Sequence, residues 1–239
     1  MTIAGTITSV APLTGTVLDR LVATYGAARD PAAAAPMRAY MRDQFAFLGI
    51  PSPVRRELSR QVVDGLPRPV EVDLRDGALA CWALREREYQ YFACDWLRRH
   101  AAVCSPDFLA TVRTLVTTKS WWDTVDALAS QVVGPIVAHH PVAVSTMEEW
   151  LVADDMWLAR TAILHQLTYG ARTDPDRLFR YCLARADHRD FFIRKAIGWA
   201  LRQYAKTDPA AVAAFVTAHE PRLSPLSVRE ARKSASPRS

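Results

Sequence analysis

The chain has 239 residues and a formal net charge of +5, with 50% hydrophobic and 23% charged residues, the balance of a folded globular protein. Its 9 glycines are few beside the about 17 that average usage would give, which disfavours turn-rich β folds and glycine-rich phosphate loops. Of its 30 basic residues, 26 are Arg, the better side chain for bidentate phosphate contacts. A charge of +5 permits a nucleic-acid partner but does not by itself indicate one.

Motifs for metals, disulfides and membranes are missing from the sequence. The four cysteines, at positions 81, 94, 104 and 182, have neither zinc-finger nor redox spacing, so we expect free, buried thiols in a reducing compartment. No His-rich ligand motif is present, which predicts a protein without metal. No apolar run approaches the roughly 18 residues of a membrane helix, and the uncharged first 18 residues lack the basic start of a signal peptide. A cytoplasmic protein is expected.

Apolar residues recur at three- and four-residue steps along most of the chain, which predicts amphipathic helices. Early examples run from Val17 to Tyr25 and from Tyr40 to Phe47; later ones run from Tyr89 to Leu97 and from Phe108 to Val116. Breaks rich in Pro, Gly, Asp and Ser separate these runs, and several have the form of a helix N-cap followed by Pro, namely Asp30-Pro31, Asp174-Pro175 and Asp208-Pro209. About a dozen helices joined by short loops are therefore predicted.

The second half of the chain has an internal period. Residues 158–163 align with residues 192–197 at a shift of 34, and similar steps back reach residues 122–127 and 89–94. Helix pairs that recur at this spacing are typical of an α-solenoid, whose concave face presents one helix of each pair. We predict an all-α fold of HEAT-like repeats over 31–230, with an N-terminal extension over 1–30, partly helical, and a basic flexible tail over 231–239.

The most informative segment contains Trp122 and Asp126, which are four residues apart and therefore share one helix face. Arg160 occurs in the next repeat, and Trp199 and Arg202 are three residues apart in the repeat after it. Aromatic rings, one carboxylate and several arginines on a concave face would suit a groove that grips a polyanion. The carboxylate would then lie where a positive charge develops.

Simpler interpretations stand beside this one. A helical Trp is more often a core residue than a binding residue, and Asp126 could be solvated or could pair with an Arg of the next helix. Arg160, Arg194 and Arg202 could form a ladder of ion pairs with acidic residues along the solenoid. Lys119 is better interpreted as a surface or capping residue than as a Schiff-base lysine, because nothing in the sequence desolvates it.

One acidic and basic stretch is expected to be solvated. Glu86 and Glu88 alternate with Arg85 and Arg87, a pattern that usually marks an exposed helix face. Composition and spacing thus predict a solenoid with a candidate groove, and they do not specify a reaction.

Several segments of the chain strongly resemble the AlkD branch of the HEAT-like alkylpurine DNA glycosylases. The central segments are KSWWDTVDALA at 119–129, WLARTAILHQL at 157–167 and FFIRKAIGWALRQYAK at 191–206. AYMRDQFAFLGIPSPVRR at 39–56 and LSPLSVREA at 223–231 resemble the same family. The similarity keeps its order and spacing from about residue 37 to 231, although Pro51 departs from the polar residue that relatives can carry.

This resemblance implies a right-handed α-solenoid with a concave DNA-binding face, and a monofunctional glycosylase of base excision repair. Its substrate would be double-stranded DNA with positively charged N3- or N7-alkylated purines, such as 3-methyladenine and 7-methylguanine, and it would need no metal or cofactor. Such a protein is expected to be a monomer in the bacterial cytoplasm, associated with the nucleoid. The alternative is a non-catalytic HEAT-like DNA-binding or adaptor protein.

The resemblance also assigns roles to residues. Asp126 matches the catalytic carboxylate, and Trp122 and Trp199 match the two tryptophans that contact the sugar. Family members engage the lesion while it stays stacked, unlike most glycosylases. The predicted DNA-binding residues are Arg160 and Arg202, which match phosphate-contacting arginines, then Tyr40, Ser52 and Arg56, which match positions on DNA-facing N-terminal helices, and finally Arg194 and Lys119.

Overall fold

The computed structural model of the chain describes residues 12–233. Within that range the fold is helical, and the β-type pairing is limited to a single bridge between Ala46 and Glu86. The chain divides into two compact units, with the boundary between Val103 and Cys104. The described residues contain no helix that is long and apolar enough to cross a membrane.

The first unit is a group of packed helices in which α1 lies against α3 and α4. Its elements are α1 (Pro12–Ala27), α2 (Pro31–Tyr40), α3 (Ser52–Val63), α4 (Glu71–Ala83), α5 (Arg87–His100) and a short 3₁₀ turn (Ala101–Val103). Val17, Leu21 and Tyr25 of α1 are buried, and the Tyr25 hydroxyl lies 2.8 Å from the Ser59 hydroxyl. The part of residues 1–30 that the structure describes is thus a packed helix; residues 1–11 lie outside the described range.

The second unit is also built of packed helices. Its helices are α6 (Phe108–Thr117), α7 (Trp122–Leu128), α8 (Gly134–His139), α9 (Val144–Val152), α10 (Met156–Leu164), α11 (Pro175–Ala184), α12 (Phe191–Tyr204), α13 (Pro209–His219) and α14 (Pro225–Ala231). Helix α10 packs on α7, α9 and α12, and α12 packs on α13 and α14. Packing of each helix pair on its neighbours is the arrangement of an α-solenoid, so the predicted fold class is confirmed.

The predicted helix starts are confirmed where Asp precedes Pro. Asp30, Asp174 and Asp208 are the N-caps of α2, α11 and α13, each followed by Pro at the first helical position. Their carboxylates accept hydrogen bonds from backbone N–H groups of the first turn, at 2.9 to 3.2 Å. These bonds satisfy donors that a helix start leaves without partners.

Helices α7 and α8 form one continuous rod that is interrupted by a π-helical turn at Ala129–Val133. Side chains after α10 support this turn: the Thr168 hydroxyl donates to the Ser130 carbonyl at 3.1 Å, and the Tyr169 hydroxyl donates to the Gly134 carbonyl at 2.7 Å. A Cβ at Gly134 would lie 2.4 Å from the His165 carbonyl oxygen, so this close approach requires glycine. The π turn directly follows the turn that carries Asp126.

The expected solvated face at residues 85–88 is wrong for Arg87 and Glu88, which are 0% and 1% exposed. The Glu88 carboxylate accepts hydrogen bonds from the backbone N–H groups of Leu48, Gly49 and Ile50, at 2.8 to 3.2 Å. The Arg87 guanidinium lies 3.8 Å from the centre of the Phe45 ring. Both side chains therefore hold the loop between α2 and α3.

The four cysteines are free and buried, as the sequence predicts. Among residues 12–233, no group of three or more His, Cys, Asp or Glu side chains is arranged to hold a metal ion. At the chain end, Arg232 pairs with Glu220 and Lys233 pairs with Glu230. Residues 234–239 of the predicted tail lie outside the described range.

Candidate active site

Asp126 lies on the second turn of α7 and is 8% exposed. Its carboxylate accepts two hydrogen bonds from one guanidinium: Arg160 Nε donates to Oδ1 and Arg160 Nη2 donates to Oδ2, both at 2.7 Å. This is the bidentate geometry that aligns a guanidinium with a carboxylate most closely. The pair joins two consecutive repeats, because Arg160 comes from α10.

Arg160 is 3% exposed, and its third nitrogen is also engaged, since Nη1 donates to the Phe192 carbonyl at the start of α12. The guanidinium carbon lies 5.9 Å from the centre of the Phe192 ring. All three guanidinium nitrogens thus bind protein atoms in this structure. Of the two roles that the sequence allows, pairing with Asp126 is the one seen here, and a phosphate contact by Arg160 stays a prediction.

Burial and charge act in opposite directions on the Asp126 carboxyl. Burial raises its pKa, and the charge and hydrogen bonds of Arg160 lower it; the net direction is upward. The neighbouring Asp123 carboxylate adds a smaller upward contribution. Both Asp126 oxygens accept N–H donors, so the geometry fits the ionised form. Each carboxylate oxygen has two acceptor positions, so the pair with Arg160 leaves one on each oxygen.

An aromatic cluster of Trp121, Trp157 and Phe192 lies beside this ion pair, with one residue from the start of each of α7, α10 and α12. The ring centres are 5.1 Å apart for Trp121 and Phe192, 5.0 Å for Trp157 and Phe192, and 6.1 Å for the two tryptophans. Such edge and tilted contacts stabilise beyond simple burial. Because Phe192 also supplies the carbonyl that binds Arg160, the cluster holds the first turn of α12 against the ion pair.

No expectation from the sequence covered this cluster, although Trp121 directly precedes Trp122. A signal was available: Trp121 and Trp157 are 36 residues apart and Phe192 follows 35 later, close to the period of the repeat. Phe191, which packs on Phe192, is 55% exposed.

The two tryptophans predicted to contact the sugar are both half-buried. Trp122 is the first residue of α7, one turn before Asp126, and Trp199 lies in the middle of α12. Four other tryptophans, Trp82, Trp96, Trp150 and Trp157, are buried. The core interpretation therefore holds for those four, whereas Trp122 and Trp199 keep part of their surface open.

The remaining predicted residues of the second unit have different settings. Arg202 is half-buried, and its Nη1 lies 3.3 Å from an Oε of Glu230. Arg194 Nε donates to the His188 carbonyl at 2.9 Å. Lys119 is exposed and has a left-handed backbone, with φ of 50°, in the turn that precedes α7.

Three predicted DNA-binding residues belong to the first unit, and all three are exposed. Tyr40 is the last residue of α2 and is 73% exposed. Ser52 begins α3, and Arg56 follows one turn later on the same helix. Their exposure leaves them available for a partner, and their DNA contacts stay predictions.

Glu230 is another buried carboxylate that sequence reasoning did not find. It lies on α14, is 2% exposed, and pairs with Lys195 at 2.8 Å, Lys233 at 2.6 Å and Arg202 at 3.3 Å. Burial acts to raise its pKa, but the hydrogen bonds and charges of Lys195 and Lys233 outweigh burial and lower it to about 2. A lone Glu near the chain end gives no sequence signal for this role.

The comparisons with known proteins agree on one family. The sequence model of the DNA alkylation repair enzyme family matches residues 21–234. A solved structure of a predicted DNA alkylation repair enzyme from Enterococcus faecalis is 35% identical in sequence and superimposes with a TM-score of 0.78, covering 88% of this chain and 98% of that one. No curated protein sequence matches the chain significantly. The match over nearly the whole length shows that the chain belongs to the DNA alkylation repair enzyme family.

Proposed function

We propose that the chain is a monofunctional DNA glycosylase that hydrolyses the N-glycosidic bond of N3- and N7-alkylated purines in double-stranded DNA. The observation that carries this proposal is the buried, bidentate Asp126–Arg160 pair, with the half-buried Trp122 one helical turn before the carboxylate. Membership of the DNA alkylation repair enzyme family supports DNA as the substrate.

The chemistry of the substrate explains why one carboxylate is sufficient. An N3- or N7-alkylated purine carries a positive charge, so it leaves as a neutral base without protonation by a general acid. Glycoside hydrolases, whose leaving groups must be protonated, commonly use two carboxyl groups. Among the buried carboxylates of the described residues, Asp126 is the one that lies one helical turn after a half-buried Trp, which fits the simpler requirement.

The reaction then consists of one bond exchange at the deoxyribose C1′. As the C1′–N bond breaks, its electron pair leaves with the purine and positive charge develops on the sugar. The ionised Asp126 stabilises that charge and accepts a hydrogen bond from the attacking water, whose oxygen forms the new C1′–O bond and whose proton passes to Asp126 or to solvent. The products are the neutral alkylated base and an abasic site.

Other side chains would hold the DNA. The π faces of Trp122 and Trp199 suit a sugar that becomes cationic. Arg202, Arg194 and Lys119, together with Tyr40, Ser52 and Arg56 of the first unit, would contact the DNA backbone, which fixes register without reading base sequence. Arg160 would orient Asp126 and balance its charge until the sugar cation forms.

These roles need neither a metal nor a cofactor, and they need no second copy of the chain. We therefore propose a monomer that acts on the nucleoid in a bacterial cytoplasm. A non-catalytic DNA-binding or adaptor protein is the second candidate function. One observation favours it: both Asp126 oxygens already bind Arg160, as they would in a purely structural ion pair.

Release of free base from alkylated DNA distinguishes the two candidates. Purified protein is incubated with methylated duplex DNA, and 7-methylguanine and 3-methyladenine are quantified in the soluble fraction. The proposed glycosylase releases at least one of these bases and leaves abasic sites. Retention of both bases in the DNA, with duplex binding intact, would favour the non-catalytic protein.

A further inference from the structure

A cleft at the end of α12 has four basic side chains on its rim. The cleft has a volume of about 350 Å³ and lies between the last turn of α12, helix α13 and the end of α14. Its basic lining residues are Arg202 of α12, Lys206 in the turn after α12, and Arg232 and Lys233, which directly follow α14. Its floor is apolar and includes Val212 and Val216 of α13, which are 3% and 2% exposed.

Positive charge exceeds negative charge around this cleft. No acidic side chain lines it. The carboxylates that pair with its lining are Glu220, bound by Arg232 at 2.7 and 3.1 Å, and the buried Glu230, bound by Arg202 and Lys233. With Lys195, which also binds Glu230, five cationic side chains face two carboxylates. The cleft is therefore suited to an anion.

Glu230 holds part of this rim in place, but this leaves several N–H donors of the basic side chains unused. A guanidinium has five N–H donors, and the contact of Arg202 with Glu230 involves its Nη1 alone. Lys206 donates one of its three N–H bonds to Gln203 Oε1 at 2.7 Å. Donors on both side chains stay available to a ligand, and they are already ordered by protein contacts, which reduces the entropy lost on binding.

The position on α12 relates the cleft to the candidate active site. Trp199 and Arg202 are three residues apart and share one face of α12, and Lys206 follows in the turn after the helix ends. The three steps from Trp199 to Arg202 span about 4.5 Å of helix axis at 1.5 Å per residue. Because Arg202 also lines the cleft, the cleft is adjacent along α12 to the face that carries Trp199.

We propose that this cleft is a second anchor for the DNA backbone, which binds phosphate groups beside those at the lesion. This inference depends on the proposed function, since it takes alkylated duplex DNA as the ligand. The cleft adds Lys206, Arg232 and Lys233 to the DNA contacts, and Glu230 acts as the residue that positions their neighbour Arg202.

The salt dependence of DNA binding tests this anchor. The affinity for an undamaged duplex is measured by fluorescence anisotropy at several salt concentrations, for the wild-type protein and for the double variant Lys206→Ala/Arg232→Ala. Each lost phosphate contact lowers the slope of log K against log salt by about 0.9. The slope of the variant is expected to be smaller by about 2, while its thermal unfolding stays close to that of the wild type because both side chains are exposed.

A matched control distinguishes the loss of phosphate contacts in the cleft from a general loss of positive charge. The double variant Arg113→Ala/Arg180→Ala loses two exposed arginines of α6 and α11 that do not line the cleft. It should keep the wild-type slope. Equal slopes for all three proteins, or equal losses in both double variants, would overturn the anchor. Binding of inorganic phosphate with no change of DNA slope would also overturn it, since the cleft would then hold a free anion.

Base release by the same proteins distinguishes a failure of this inference from a failure of the proposed function. Under single-turnover conditions with saturating protein, release of 7-methylguanine by the wild-type protein tests the proposed function by itself. If wild-type protein releases no base, the proposed function fails whatever the slopes are. If base is released and the slopes do not differ, the glycosylase stands and the anchor fails.

Discussion

The carboxylate of Asp126 and the guanidinium of Arg160 form a bidentate ion pair, with both N–O distances at 2.7 Å, across 34 residues of sequence. The separation equals the repeat of the solenoid, so the pair also joins α7 to α10. A buried ion pair gives little net stability compared with well-packed apolar residues, but removal of one partner is strongly destabilising. Its presence at the position that the resemblance assigns to the catalytic carboxylate therefore favours a functional role for the pair.

The first prediction concerns stability. Asp126→Asn leaves the buried Arg160 without a counter-charge and should lower the free energy of unfolding by roughly 3 kcal/mol. Asp126→Asn/Arg160→Gln removes the unpaired charge and should recover at least roughly 1 kcal/mol of that loss. Urea unfolding measures both. Additive effects of the two substitutions would mean that the two side chains do not interact.

The second prediction concerns the pH dependence of base release. Catalysis requires ionised Asp126, so the rate is retained above its pKa and lost as the pH falls through it. Since the pKa is raised, activity should be lost at a higher pH than an ordinary Asp would give. In Arg160→Gln the charge and hydrogen bonds that lower the pKa of Asp126 are gone. The residual rate should therefore be lost at a still higher pH.

The Arg202→Gln variant is the control for this profile, because Arg202 pairs with Glu230 rather than with Asp126. Its acid limb should coincide with that of the wild type, even if its rate is lower. An acid limb that does not move in Arg160→Gln would contradict the assignment of this limb to Asp126.

The third prediction concerns the aromatic cluster. Phe192→Leu keeps the backbone carbonyl that binds Arg160 but loses the ring contacts with Trp121 and Trp157. The expected loss of unfolding free energy is about 1–2 kcal/mol. Phe191→Leu, a change at a 55% exposed neighbour, should stay within about 0.5 kcal/mol of wild type. Equal losses of unfolding free energy at both positions would show that the ring contacts of the cluster do not add to stability.

The helix starts and the fold class could be predicted from the sequence, because their causes are local. Asp before Pro at 30, 174 and 208 caps a helix within three residues, and the repeat near 34 residues fixes which helices are neighbours. The same period brought Arg160 into the predicted site. Its pairing with Asp126 was one of two alternatives, since the sequence gives the neighbouring helix but not the direction of a side chain.

Other features depend on partners distant in sequence. Glu88 resembles a solvated residue among alternating charges, but its acceptors are filled by backbone N–H groups 38 to 40 residues earlier. Glu230 is similar, since two of its three cations come from α12. The π turn after Asp126 is supported by Thr168 and Tyr169, beyond the reach of any local pattern.

The fourth prediction concerns acid stability. His165 is fully buried; its Nδ1 donates to the Ala162 carbonyl at 2.6 Å, and its Nε2 is buried without a hydrogen-bond partner. Burial lowers its pKa to about 4. Below pH 6.5, the ordinary pKa of His, this side chain binds a proton in the unfolded chain but not in the folded chain. Stability should therefore fall as the pH drops from about 6.5 to about 4, by at most roughly 3 kcal/mol.

His165→Asn can still donate to the Ala162 carbonyl but cannot take up a proton. Its unfolding free energy, measured by urea at pH 7 and pH 4.5, should differ less between the two pH values than that of the wild type. His139→Asn, at an exposed position, should keep the wild-type difference. If His165→Asn also keeps that difference, another group causes the acid sensitivity.

The most direct test is the single-turnover release of 7-methylguanine from methylated duplex DNA by wild-type protein, Asp126→Asn and Asp123→Asn. Asp123 is the matched control, a half-buried carboxylate on the same helix. We predict release by the wild type and by Asp123→Asn, and a loss of at least about 100-fold in Asp126→Asn with DNA binding largely retained. Circular dichroism confirms that each protein is folded at the assay temperature. Release by Asp126→Asn at the wild-type rate would contradict the catalytic role of this carboxylate.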